Sequence, residues 1–142
     1  MDIPFDSASF AAHATMTAPH PLSLRGKMLA IRYAWQGIAY MLRTQPNAWF
    51  QIGIWIVVTA VGLAFGLTAG EWCAAVLAMA LVWITEALNT AIEDVVDLVS
   101  PGRHPLAGRA KDVAAGSVLV AFAASAIIGL VIFGPRFWAL LP

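Results

Sequence analysis

The chain has 142 residues, of which 61% are hydrophobic and 11% charged, a composition that indicates an integral membrane protein forming one compact unit. Eight basic and eight acidic side chains cancel, so the net charge gives no support for a nucleic-acid partner. The single cysteine, Cys73, excludes an intrachain disulfide and a cysteine-based metal cluster.

Residues 1–22 are rich in Ala, Ser, Thr, Pro and His and show no helical periodicity, which predicts a disordered N-terminal tail. From Leu24 the pattern changes, because an apolar stripe and a basic stripe recur with helical spacing over about residues 24–44. Arg25 and Arg32 belong to the basic stripe. This segment is therefore predicted to be an amphipathic helix on the inner membrane surface, with its arginines near anionic headgroups.

Three apolar segments follow, and a bilayer needs roughly 20 such residues to be crossed. The predicted spans cover about residues 48–68, 72–99 and 111–134, and with the surface helix they form one domain over residues 23–142. Pro46 separates the surface helix from the first span. The sequence thus predicts an all-α integral membrane fold, with three transmembrane helices preceded by an amphipathic surface helix.

The basic residues set the predicted orientation. They cluster before the first span and between the second and third, whereas the connection at residues 68–71 has none and Arg136 alone follows the third span. Because basic loops stay on the cytoplasmic side, the N-terminus and the loop at residues 100–112 are predicted to be cytoplasmic. A multi-pass protein of the plasma membrane is expected.

The second span runs without a turn signal into a row of polar side chains that share one helix face, namely Glu86, Asn89, Glu93 and Asp97. Ionisable groups at membrane depth are costly and mark functional sites by default. A rise of about 1.5 Å per residue places Glu86 about 22 Å inward from Glu71, in the inner leaflet, and Glu93 near the cytoplasmic boundary. This suits an enzyme that joins a soluble reactant to a lipid, whereas a proton-coupled transporter usually holds its carboxylate at the midplane.

The loop after this row adds cations. Arg103 and His104 lie in a turn-rich reversal, and Arg109, Lys111 and Asp112 follow at the start of the third span. Carboxylates that hold Mg²⁺, opposite Lys and Arg side chains that hold phosphate oxygens, are the two halves of a phosphoryl-transfer site. Arg109 fits a positive-inside anchor equally well. The sequence has no Walker-type glycine loop and no kinase catalytic loop, so a nucleotide site would be built from these helices.

Two stretches carry a family resemblance: Glu86-Ala-Leu-Asn-Thr-Ala-Ile-Glu93-Asp-Val-Val-Asp97 and Ala110-Lys-Asp-Val-Ala-Ala-Gly116-Ser-Val, with His104-Pro-Leu-Ala between them. They resemble the signature of the small bacterial integral-membrane lipid kinases, the diacylglycerol kinase and undecaprenol kinase family. The resemblance implies lipid metabolism, with ATP as co-substrate, Mg²⁺ as cofactor and a lipid alcohol as substrate. It also implies a homotrimer of three-span subunits in the bacterial inner membrane, with active sites shared between neighbouring subunits.

The resemblance further implies roles for individual residues. Glu86 is similar to the family's catalytic base, which takes the proton from the lipid hydroxyl. Asn89 is similar to its polar neighbour in the active site and is a candidate substrate-binding residue. Glu93 matches a carboxylate ligand of the catalytic Mg²⁺. The family's nucleotide-binding positions correspond to Tyr33, which would contact the adenine, and to Arg103, His104, Lys111 and Asp112.

Gln45 departs from the family pattern, because the family often has a second metal-binding Glu at this position. A neutral amide still ligates Mg²⁺ through its oxygen but brings no charge. Metal affinity would then be weaker, or Asp97, a further candidate substrate-binding residue, would assist. Trp49 also stands where a basic residue is common. An inactive relative is one alternative, and the retained carboxylates Glu86 and Glu93 argue against it.

The predicted reaction is transfer of the ATP γ-phosphate to the hydroxyl of a lipid alcohol, with Glu86 as general base and Glu93 on Mg²⁺. The Ala-Ala-Gly-Ser sequence that follows Val113 resembles the undecaprenol kinase branch slightly more than the diacylglycerol kinase branch. Undecaprenol is therefore the first expectation for the lipid and diacylglycerol the second. The alternative function is that of a non-enzymatic membrane protein, such as a carboxylate-dependent transporter subunit. Such a protein would not need the Lys111-Asp112 pair.

Overall fold

The computed structural model describes residues 23–142, and the tail predicted for residues 1–22 lies outside the described residues. The described chain is all-helical and contains no strand. Its four helices are α1 (Leu24–Thr44), α2 (Pro46–Phe65), α3 (Ala69–Val99) and α4 (Pro105–Trp138).

The helices α2, α3 and α4 each contain a stretch that is long and apolar enough to cross a membrane, with a mean hydropathy over 18 residues of 1.9, 1.7 and 2.5. The prediction of an all-α integral membrane fold with three transmembrane helices is thereby confirmed.

The chain divides into two compact units, and the boundary falls within α1, after Ala39. In the first unit, α1 begins where the Ser23 hydroxyl accepts a hydrogen bond from the Gly26 N–H at 3.0 Å. Its apolar stripe, including Met28 and Trp35, is exposed, as is typical of a helix whose apolar face meets lipid.

Local sequence explains where the helices of the second unit, Tyr40–Pro142, begin and end. Pro46 occupies the first turn of α2, which suits a residue with fixed φ and no N–H to satisfy. The helix α2 ends at Gly66, whose φ of 62° is left-handed and favours glycine. Two residues later, Thr68 and Glu71 form a capping box that starts α3.

The helix α4 packs along α3, and α2 meets α3 over a smaller surface. Small side chains such as Ala75, Ala78 and Ala121 are buried at these contacts, where they allow helices to approach closely. The Ser125 hydroxyl donates to the Ala78 carbonyl at 2.9 Å and links α4 to α3. These contacts fix which face of α3 is turned into the protein.

Candidate active site

The face of α3 that points into the protein carries polar side chains. Glu86, Asn89 and Thr90 are buried, and Glu86 has only 3% of its surface exposed. Burying a carboxylate in apolar surroundings is costly unless it finds a partner. A buried acidic residue in a helix that exposes most of its large apolar side chains therefore marks a candidate site.

The buried carboxylate receives a hydrogen bond from α2. Asn47 Nδ2 donates to Glu86 Oε1 at 3.4 Å, and the Thr90 hydroxyl donates to the Glu86 backbone carbonyl at 3.0 Å. Sequence reasoning missed Asn47 because it lies just before the predicted first span. The sequence shows a polar residue at the membrane boundary, but this alone does not indicate which residue it hydrogen-bonds.

One turn further along α3, Asn89 Nδ2 donates to Glu93 Oε1 at 3.1 Å. The other amide atom, Asn89 Oδ1, is buried and has no hydrogen-bond partner within the described residues. A carboxylate and an amide oxygen are ligands that Mg²⁺ accepts, because it is usually held by one or two carboxylates together with phosphate and water. The donor set at Asn89 and Glu93 thus fits this ion.

Gln45 lies between α1 and α2, and its side chain does not cap α2. Among residues 23–142, no hydrogen bond joins the side chain of Gln45 to Glu93, and no three His, Cys, Asp or Glu side chains are close enough to hold a metal ion together. The metal-binding role of Gln45 stays a prediction.

At the end of α3, the Lys111 ammonium lies 2.6 Å from Asp97 Oδ1, so two of the predicted site residues form an ion pair. The pair borders a pocket of about 430 Å³ between the end of α3 and the start of α4. Arg103 and His104 line the same pocket, and His104 also caps α4 by accepting the Leu106 N–H at Nδ1. Three of the five predicted nucleotide-binding residues thus share one pocket.

The other two predicted nucleotide-binding residues are placed differently. Asp112 is exposed and is not among the residues that line this pocket. Tyr33 lies on α1 in the first compact unit, where its side chain is exposed. The roles of both residues stay predictions.

Two aromatic contacts at the end of α1 were missed from the sequence. Trp49 Nε1 donates to the Leu42 carbonyl at 2.9 Å, so this residue fastens the first turn of α2 to the last turn of α1. Tyr40 donates its hydroxyl to Asp94 Oδ1 at 3.3 Å. The negative charge of Asp94 raises the pKa of Tyr40, because it disfavours a phenolate beside it.

One turn deeper than Asn47 on α2, Gln51 is only 2% exposed, and neither atom of its amide has a hydrogen-bond partner within the described residues. The indole Nε1 of Trp83, one turn below Glu86 on α3, is also buried without a partner there. The ring of Trp83 packs against Trp55, with centroids 5.6 Å apart. Polar groups therefore continue inward from Glu86 along both helices.

The sequence model of a family described as prokaryotic diacylglycerol kinase matches residues 32–133, a range that includes every candidate site residue from Tyr33 to Asp112. The undecaprenol kinase of Bacillus subtilis (strain 168) is 41% identical over 104 residues, which cover 73% of this chain and 85% of that protein.

Two relatives described as diacylglycerol kinases are also similar. The protein of Synechocystis sp. (strain ATCC 27184 / PCC 6803 / Kazusa) is 45% identical over 105 residues, or 72% of this chain and 59% of that longer protein. The protein of Escherichia coli (strain K12) is 34% identical over 110 residues, or 76% of this chain and 88% of the relative.

Proposed function

We propose a catalytic role for Glu86 from the premise that the chain belongs to the prokaryotic diacylglycerol kinase family and is an ATP-dependent membrane lipid kinase. In this proposal Glu86 is the general base of the phosphoryl transfer from ATP to the lipid. The observation that carries this proposal is the row of polar contacts along one face of α3. Glu86 accepts a hydrogen bond from Asn47, Glu93 accepts one from Asn89, and Asp97 forms an ion pair with Lys111. A helical rise of about 1.5 Å per residue makes this row about 16 Å long, enough to join a lipid hydroxyl to a nucleotide.

The nucleotide end of the row is proposed to be the pocket between α3 and α4. Its lining includes the side chains of Arg103, His104 and Lys111, which suit the oxygens of a polyphosphate. Lys111 would exchange its contact with Asp97 for a phosphate oxygen, and Asp97 would help to hold the substrate. Asp112 is a further proposed nucleotide contact, and the adenine contact of Tyr33 stays a prediction from the family resemblance.

Mg²⁺ would be held by Glu93, with the amide oxygens of Asn89 and Gln45 as candidate additional ligands. When bound, the ion would offset negative charge on the phosphate groups. The unpartnered Oδ1 of Asn89 supports this assignment, because a buried polar atom without a partner is rare unless a ligand completes it.

The chemistry would be a single phosphoryl transfer. The proton of the lipid hydroxyl passes to Glu86, the hydroxyl oxygen bonds to the γ-phosphorus, and the bridging P–O bond breaks to leave ADP. The burial of Glu86 keeps bulk water from competing with the lipid as acceptor. The charge of Lys111 would balance the charge on the transferred group.

The lipid is proposed to be undecaprenol or diacylglycerol, since the relatives carry both names. We further propose that the protein spans the bacterial inner membrane with its N-terminus in the cytoplasm, because ATP and the basic loop at residues 100–112 belong on that side.

The test is to incubate the purified protein with γ-labelled Mg·ATP and mixed micelles that contain either lipid, beside Glu86→Gln. Label should enter one lipid, and Glu86→Gln should lower the rate by about 10²–10⁴-fold, because a general base contributes that much.

Glu71→Gln is the matched control, since it makes the same exchange in the first turn of the same helix, where Glu71 binds Arg136 at 2.8 Å. It should retain transfer. Wild-type rates in Glu86→Gln would remove the general-base assignment, and no label in either lipid would count against both named substrates.

A further inference from the structure

Asn47 is the side chain in residues 23–142 that donates a hydrogen bond to the carboxylate of Glu86, at 3.4 Å from Oε1. An ionised carboxylate only accepts hydrogen bonds, so the amide nitrogen and not the amide oxygen must face it. The hydroxyl of Thr90 bonds the backbone carbonyl of Glu86 and leaves the carboxylate alone. The direction of the Glu86 carboxylate therefore depends on Asn47.

The backbone around Asn47 is held on both sides, so its amide starts from a fixed point. Pro46 precedes it with a restricted φ, and the Ala48 N–H bonds the Gln45 carbonyl at 3.1 Å. Ala48 itself is fully buried. Two residues after Asn47, Trp49 fastens the same turn to α1.

The contact uses only one of the two carboxylate oxygens. Oε1 of Glu86 accepts from Asn47, and Oε2 accepts no hydrogen bond within residues 23–142. One carboxylate oxygen of the base is then held by a neighbour, and the other is free to accept the proton of the substrate. Such a fixed orientation raises the fraction of encounters that lead to reaction.

We propose that Asn47 is a positioning residue for the phosphoryl transfer, holding Glu86 Oε1 so that Oε2 faces the hydroxyl of the lipid. This rests on the general-base role proposed for Glu86. Asn47 touches neither the nucleotide nor the reacting atoms, and it acts through Glu86.

The competing explanation is that Asn47 only fastens α2 to α3. A contact that only fastens the helices would contribute to the melting temperature, and its loss would leave the kcat of the folded protein unchanged. A positioning contact changes kcat, and its effect disappears when Glu86 can no longer receive the hydrogen bond.

The experiment is a double-mutant cycle, in which Asn47→Ala and Asn47→Gln are each made in the wild-type and Glu86→Asp proteins. Activity is measured with Mg·ATP and whichever of diacylglycerol and undecaprenol accepts label. Asn47→Ala should lower kcat about 10-fold, the usual effect of losing a hydrogen bond to a charged group. The KM values for ATP and lipid should stay within about twofold, because ground-state binding is untouched.

Asn47→Gln keeps the donor on a longer side chain and should recover part of the rate. In Glu86→Asp the carboxylate is drawn back by one methylene, so adding Asn47→Ala should cost less than about twofold in kcat. Equal losses in both backgrounds, an unchanged kcat in Asn47→Ala, or a raised KM with kcat kept would each overturn the positioning role.

Ser125→Ala is the control, since it removes a hydrogen bond that links α4 to α3 without involving Asn47 or Glu86. It should lower the melting temperature and leave kcat unchanged. Glu86→Gln separates the two proposals: if it keeps the wild-type kcat, the general-base assignment fails together with the positioning role. If it loses activity while Asn47→Ala does not, only the positioning role fails.

Discussion

Lys111 and Asp97 meet at 2.6 Å where the cytoplasmic ends of α3 and α4 are predicted to lie, with 35% and 67% of their side chains exposed. Exposed ion pairs contribute only about 0–1 kcal/mol, because water and salt screen them. A polyphosphate that brings several negative charges can therefore displace Asp97 at little cost. The pair holds the ammonium at the pocket wall, beside Arg103 and His104, where the proposed nucleotide would meet it.

Lys111→Gln should lower kcat/KM for ATP by about 100-fold, because the variant loses a cation that offsets charge on the phosphate groups. Steady-state kinetics with varied Mg·ATP measures the loss. Lys27→Gln makes the same exchange on α1 in the first unit and should leave kcat/KM unchanged. Equal effects of the two substitutions would show that general charge, and not the pocket, is responsible.

At the scale of single elements, the turn between α2 and α3 shows how few residues define a helix boundary. Gly66 ends α2 with a left-handed φ, and Thr68 begins α3 through its capping box with Glu71. A further close contact lies beneath the turn, since a side chain at Gly62 would come within 2.8 Å of the Trp72 ring. The turn therefore depends on glycine for two separate reasons, backbone conformation and helix approach.

Gly66→Ala should destabilise the protein by about 1 kcal/mol, because alanine is strained in the left-handed region. No atom lies within 4 Å of the added methyl group at either Gly66 or Gly70, so steric clash does not contribute. Gly70→Ala is the control within the first turn of α3 and should stabilise by about 0.5–1 kcal/mol, as alanine does in helices. Thermal unfolding in detergent compares the two variants, and shifts of the same sign would contradict the conformational explanation.

The helical membrane fold could be predicted from the sequence because membrane spans and helix boundaries depend on residues that are close together in the chain, such as a long apolar segment or Pro46. The row from Glu86 to Asp97 was also visible, since helical spacing alone puts its members on one face. The contact between Asn47 and Glu86 could not be predicted in this way, because their 39-residue separation is bridged only by the packing of α2 on α3. The same reason hid the contact of Tyr40 with Asp94.

For the whole molecule, the exposed surface of the transmembrane helices is strongly apolar, with large side chains such as Leu119, Val120 and Leu130 of α4 unburied in a single chain. Lipid or further copies of the chain would cover such a surface in a membrane. The family resemblance implies a homotrimer whose active sites lie between subunits. A single chain holds both Glu86, the proposed base, and the cation Lys111. The open question is whether each active site takes both residues from one chain or from two neighbouring chains.

Mixing two inactive variants tests whether Glu86 and Lys111 of one site come from the same chain. If each site combines Glu86 of one subunit with Lys111 of its neighbour, trimers reassembled from equal amounts of Glu86→Gln and Lys111→Gln should regain about a quarter of the wild-type activity, because a quarter of the interfaces then carry both intact residues. Each variant reassembled alone is the control and should stay inactive. Light scattering in detergent should show a protein mass near three times the 15.1 kDa chain. A trimer with no regained activity would place Glu86 and Lys111 of each site in one chain, and a monomeric mass would contradict the trimer itself.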